Sequence, residues 1–232
     1  ANTSVYVYNT TTEALIAGPI AVGNGPHGNT HRPGSNQVWI NSSIDDTVSV
    51  IDTTTDTVVA TYAAGPGPNG MAFSPDGNLA YIGISGGVEI LNASTGASLS
   101  TIVGTANPEW IVINSDGSRL YASHPTTNTV DVFNLTNETL EDTITVATGP
   151  WGMSLSNDDS KLYVTSPNLT GGLNGTTYAV VDTATNTVSE TITPGGGAPF
   201  FIYTAPIEIA TNTINFSLVA ACLLYTSDAA DE

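Results

Sequence analysis

The chain of 232 residues has one cysteine, Cys222, so no disulfide can close within it. It has three basic residues, Arg32, Arg119 and Lys161, against 21 Asp and Glu, for a formal net charge of -18. That balance argues against nucleic acid as a partner, because such binding rests on Lys and Arg neutralising phosphates. It equally disfavours anionic membrane surfaces and suits cations and basic or neutral partners. No apolar run is long enough to span a bilayer. No leader pattern is visible at Ala1. Helical periodicity is missing too, which removes βαβ folds.

What is present points to strands and turns. Charged residues are only 10% and hydrophobic residues 40%, so the chain can build a core rather than stay a disordered polyelectrolyte. The polar remainder is rich in Thr, Ser, Asn and Gly.

The chain repeats itself. Gly25-Pro26-His27-Gly28, Gly67-Pro68-Asn69-Gly70, Asn107-Pro108-Glu109-Trp110, Gly149-Pro150-Trp151-Gly152 and Ala198-Pro199-Phe200-Phe201 recur with prolines 42, 40, 42 and 49 residues apart. Thirteen residues after the first four prolines stands an aromatic: Trp39, Tyr81, Tyr121 or Tyr163. A third marker, Asp52, Asn92, Asn134 or Asp182, closes a short alternating apolar run. That Asn replaces Asp freely fits turn capping better than acid–base work.

Each unit holds four strand candidates. In the second they are Gly70–Ser74, Leu79–Gly83, Gly87–Leu91 and Ala97–Ile102; in the first, the last two are Thr47–Asp52 and Thr57–Tyr62. Ser74-Pro75-Asp76-Gly77 predicts a turn, because Pro presets φ, Asp caps and Gly accepts positive φ. Four strands per roughly 42 residues predict an all-β fold, a β-propeller of four-stranded antiparallel blades. One such sheet leaves two apolar faces bare, and stacked neighbours cover both.

The pieces Leu162-Tyr163-Val164-Thr165, Thr47-Val48-Ser49-Val50-Ile51-Asp52-Thr53 and Phe73-Ser74-Pro75-Asp76-Gly77 resemble the YVTN-repeat β-propeller family over about residues 4 to 204. That family is similar to archaeal surface-layer repeats and related to lactonase-type seven-bladed propellers. The pattern departs at Ser85-Gly86-Gly87, a shortened loop, and at Leu169–Thr176, a Gly- and Asn-rich insertion.

The expected organisation is a propeller fragment over residues 1–221, with repeats near 25–66, 67–106, 107–148 and 149–197. Partial blades are expected at 4–23 and 198–220, giving an incomplete ring with exposed edges. Residues 222–232 resemble a translated sequencing adapter and are set aside from the fold. Without Asp228, Asp231 and Glu232 the charge is -15.

No metal-spaced His pair, phosphate loop or nucleophile elbow is present, so no catalytic residue and no cofactor is assigned. Gly171-Gly172 and Gly195-Gly196-Gly197 read as loops. The residue after each repeat proline should sit at the mouth of the channel. His27, Asn69, Glu109, Trp151 and Phe200 are therefore the candidate ligand-binding rim, or else a solvated funnel edge. His31 aligns with apolar Phe73, Ile113 and Leu155; it is either a ligand turned inward or a packed ring with one nitrogen bonded to backbone. His124, before Pro125, reads as a solvated loop residue. Asn2, Asn9, Asn41, Asn92, Asn134, Asn137, Asn168, Asn174 and Asn215 stand in Asn-x-Ser/Thr and are candidate N-glycan acceptors.

The expectation is a non-catalytic extracellular or cell-surface propeller, with the periplasm as a variant, that binds a protein, glycan or small ligand. The alternatives are a lactonase-like enzyme acting on a small sugar-derived substrate, which the family resemblance implies, and a propeller that holds a metal or small ligand without turnover.

Overall fold

The structure, a computed structural model, describes residues 3–104, 106–167 and 177–193. These residues are all-β. A two-stranded sheet of β1 (Ser4–Tyr8) and β2 (Leu15–Ala21) comes first. Four antiparallel four-stranded sheets follow, each a meander in chain order. Blade 1 is β3 (Pro26–His31), β4 (Gln37–Ser42), β5 (Thr47–Asp52) and β6 (Thr57–Ala63). Blade 2 is β7 (Met71–Phe73), β8 (Leu79–Ile84), β9 (Gly87–Asn92) and β10 (Ser98–Val103). Blade 3 is β11 (Trp110–Ile113), β12 (Arg119–His124), β13 (Thr129–Asn134) and β14 (Thr139–Thr145). Blade 4 is β15 (Met153–Leu155), β16 (Lys161–Ser166), β17 (Thr177–Asp182) and β18 (Thr187–Ile192). Phe200, Asn2, Asn168, Asn174, Asn215, the glycine pairs and triplet near 171 and 195, the 198–220 partial blade and the 222–232 tail lie outside the described residues.

The sheets stand side by side in an arc. First strands touch first strands (β3 with β7, β7 with β11, β11 with β15), and outer strands touch along the far side. The cores lie in the seams. Trp39, Val48 and Val50 of blade 1 meet Met71, Phe73, Ala80 and Ile82 of blade 2. Tyr81, Val88 and Ile90 meet Ile111, Leu120, Ala122 and Phe133 in the next seam. Tyr121, Val130 and Val132 meet Met153, Leu162 and Val164 in the third. The aromatic marker now has a cause: Trp39, Tyr81 and Tyr121 each fill the seam with the following blade.

The Asp/Asn marker also has one. Asp52 Oδ1 accepts from the Thr54 amide at 2.8 Å, Asn92 Oδ1 from Ser94 at 2.9 Å, Asn134 Oδ1 from Thr136 at 2.9 Å and Asp182 Oδ1 from Ala184 at 3.0 Å. Asn9 repeats the device for Thr11 at 2.9 Å. Four residues further on the chain turns left-handed each time, at Glu13, Asp56, Gly96, Glu138 and Asn186. Each blade also carries a register shift between its third and fourth strands.

The three described basic side chains all tie structure together. Arg32 of blade 1 donates to the carbonyls of Gly77 at 2.8 Å and Ala93 at 2.9 Å in blade 2. Arg119 of blade 3 donates to the Thr183 carbonyl of blade 4 at 3.0 Å and pairs with Glu141. Lys161 pairs with Asp182 at 2.8 Å inside blade 4.

The turn carboxylates make stability depend on acid. Hydrogen bonds from Ser156 and Ser160 hold Asp158 down to about 2, and similar donors lower Asp52, Asp76 and Asp116. Lys161 and the turn amides lower Asp182. A carboxyl depressed on folding stabilises above its unfolded value, here 3.8, and that stabilisation is lost as pH falls through the folded value. Urea midpoints of the wild type should therefore fall between about pH 4 and about pH 2 more steeply than those of Asp158→Asn. Parallel curves for the two proteins would refute this.

Candidate functional site

The mouth of the arc is built by the linker that enters each blade. Gly25, Gly67 and Gly149 adopt φ of +70°, +62° and +69° ahead of the repeat proline, which turns the chain inward from an outer strand to an inner one. Turn residues fasten two of these linkers: Asp46 Oδ1 accepts from the Gly67 amide at 2.8 Å, and Asn128 Oδ1 accepts from Gly149 at 2.9 Å. Pro68, Pro108 and Pro150 are buried, and the residue after each proline stands where the inner strand begins.

The backbone of these rim residues is tied down. The amides of Asn69, Glu109 and Trp151 donate to the carbonyls of Gly83, Ser123 and Thr165 at 2.9, 2.8 and 2.8 Å. Two rim carbonyls are latched by the preceding blade: Asn41 Nδ2 donates to Asn69, and Ser123 Oγ donates to Trp151 at 2.7 Å. Tight glycine contacts set the spacing. A Cβ on Gly70 would fall 2.9 Å from the Glu109 carbonyl oxygen and 2.8 Å from Trp110 Cα, so the inner strands of blades 2 and 3 pass at backbone contact.

Of the candidate rim, the structure brings His27 and Glu109 together. His27 Nε2 lies 3.3 Å from Glu109 Oε1, although the residues belong to blades 1 and 3. The pair thus bridges past blade 2, whose rim residue, Asn69, is half-buried. The His27 side chain is 43% exposed and that of Glu109 only 14%. Burial pushes the Glu109 carboxyl above its ordinary value, and the neighbouring His27 draws it part of the way back. Trp151 is half-buried at the same level of blade 4. Among the described residues, no three His, Cys, Asp or Glu side chains form a metal-holding group.

Three residues differ from the sequence reading. His124 is not a solvated loop residue: it ends β12 and is fully buried. Its Nε2 lies 3.1 Å from Asp131 Oδ2, equally buried, but off the hydrogen-bond axis. Asn41 is fully buried in β4 with its amide donated to Asn69, which leaves no room for a glycan in the folded chain. His31 is exposed, with Nε2 at 2.8 Å from the Ser35 carbonyl, so the ring bonds to backbone but does not pack in a core. The other described sequon residues are partly exposed at Asn9, Asn92 and Asn134 and exposed at Asn137.

Asp131 was missed by sequence reasoning, and so was Glu89, its counterpart in blade 2. Glu89 is buried, accepting from the Gly65 amide at 2.7 Å and from Ser98 Oγ at 2.6 Å. The available signal was an acidic residue in the middle of an apolar alternation, in Gly87-Val88-Glu89-Ile90 and Thr129-Val130-Asp131-Val132.

No protein-family model matches the chain, and no curated protein matches it. Among solved structures it is similar to hydrazine synthase of Kuenenia stuttgartiensis, with a TM-score of 0.68 and 22% identity over 79% of this chain and 52% of that one. The fold is a β-propeller. At that identity the likeness speaks for the fold alone, and this propeller chain spans about half the length of the solved one.

Proposed function

We propose that this propeller is a non-catalytic binding scaffold of the extracellular or cell-surface kind, with its ligand site at the mouth around His27, Asn69, Glu109 and Trp151. The observation that carries the reading is the use of the mouth amides. Those of Asn69, Glu109 and Trp151 all donate to carbonyls of their own blades, so they are not free to stabilise a developing oxyanion. An exposed imidazole, a sheltered carboxyl and an indole remain, which suit recognition. The YVTN-like repeat markers and the acidic, Thr- and Asn-rich turns support a surface role, and the exposed Asn137 supports glycosylation there.

A second reading has one observation in its favour. Glu109 is raised by burial beside His27, as a general base or acid of a lactonase-like enzyme would be. The two readings part in a hydrolysis assay of the full chain against a panel of sugar lactones. The scaffold reading expects no turnover above background. Turnover that disappears in Glu109→Ala would establish the enzyme instead.

A further inference from the structure

We propose that His27 Nε2 and Glu109 Oε1 form an open two-ligand site for a borderline divalent transition-metal ion, with Zn2+ as the reference case. The inference rests on reading the mouth as a binding site and names what is held there.

Three features of the pair carry it. The first is spacing. A tetrahedral Zn2+ with bonds of about 2.0–2.2 Å holds its ligand atoms roughly 3.3–3.5 Å apart, and Nε2 and Oε1 stand 3.3 Å apart. The second is direction. Oε1 is buried yet accepts no hydrogen bond, from His27 or from any other group. Two ligands of one ion aim at a shared third point rather than at each other, and a buried carboxylate oxygen without a partner is the exception in folded proteins. The third is rigidity. Both residues sit at the entry to inner strands, with the Glu109 amide bound at 2.8 Å and blade 2 packed between them.

The donor set selects the metal. An imidazole nitrogen with one carboxylate oxygen suits Zn2+, Cu2+ or Ni2+, whereas Ca2+ and Mg2+ need six or more oxygens or a largely retained water shell. With two protein ligands the remaining positions stay open to water or to a donor on a bound partner. The net charge of -18 raises the local concentration of cations at the surface.

The test is a Zn2+ titration of the full chain by calorimetry, alongside imidazole and indole NMR spectra, for wild type, His27→Ala and Glu109→Gln. One site is expected that shifts the His27 ring signals, weakens as pH falls because protons compete for both ligands, and loses at least about tenfold in affinity in either variant. Ca2+ and Mg2+ at equal concentration should leave the ring signals in place. Folding of each variant is checked by its melting curve, and His27→Gln replaces His27→Ala if the latter unfolds. Zn2+ binding that survives both substitutions would belong to the general acidic surface and overturns the proposal, as would no binding at all. If Zn2+ is silent while a monosaccharide panel shifts the Trp151 indole, the metal assignment fails and the mouth reading stands; if both are silent, both fail.

Discussion

Asp131→Ala is expected to lower the unfolding free energy by about 3–5 kcal/mol. Asp131 and His124 are fully buried on the face that blade 3 turns to blade 2, beside Leu120, Ala122 and Phe133. Asp131 Oδ1 accepts from Thr143 Oγ1 at 2.8 Å and Oδ2 faces His124. Truncating the carboxylate removes the acceptor of the Thr143 hydroxyl and leaves a fully buried imidazole, neither of whose nitrogens has a hydrogen-bond partner, without the carboxylate beside it. Removing both polar groups should behave differently. The sibling blades supply the replacements: Ile84 stands where His124 does, and Ala179 stands where Asp131 does. The double variant His124→Ile with Asp131→Ala should therefore recover most of the loss, because apolar packing replaces the pair without orphaning either member. Urea unfolding followed by tryptophan fluorescence gives the cycle. A single-variant loss below about 1 kcal/mol would show that the pair is incidental to the seam.

Trp39→Ala should be comparably severe, at about 3–5 kcal/mol. Trp39 is completely buried and is the largest side chain of the seam between blades 1 and 2. Its ring meets Phe73 of blade 2 edge-on at 5.1 Å and 86°, and Tyr62 at 5.3 Å and 52°. Its indole nitrogen reaches Gln37 Oε1 at 3.4 Å. Substitution leaves a cavity between two sheets rather than within one, so collapse requires the blades to shift together. Trp39→Tyr, which borrows the residue of the other three repeats, should keep most of the stability. The near-ultraviolet circular dichroism of the Trp39–Phe73 pair offers a second readout. An alanine variant that melts with the wild type would mean that the seam does not depend on this ring.

Sequence legibility followed local chemistry. Thr47–Asp52 was read residue for residue as β5, and β7 to β10 lie within one or two residues of their predicted spans, because period-two alternation and turn residues are written into contiguous sequence. The rim was legible as a set of positions, since the proline repeat puts one residue per blade at the same height. That His27 meets Glu109 two blades away was not, because the repeat says nothing about which rim side chains reach each other. His124 was misread for a physical reason. Second strands are buried on both faces, as the runs Val38–Ser42, Ala80–Ile84 and Leu120–His124 show, so alternation carries no information there. A histidine before a proline then looks like the start of a loop. Asn41 was obscured in the same way: its sequon is real as a pattern, but β4 is an interior strand.

The seams of the arc are fastened unequally. Blades 1 and 2 are joined by Arg32, by Asn41 and by Thr30 Oγ1 donating to the Met71 carbonyl at 2.9 Å. Blades 3 and 4 are joined by Arg119, by Ser123 and by Ser115 donating its amide to Asp159 at 2.8 Å. Where Asn41 and Ser123 latch the next blade, blade 2 has Gly83, which can only let Pro108 pack against it. Under mechanical load or a slow protease, the chain should come apart as two hinged halves, parting between blades 2 and 3, where an apolar seam and the Gly86 amide donating to Asn107 Oδ1 at 3.2 Å stand in place of the arginine clamps of the other two seams.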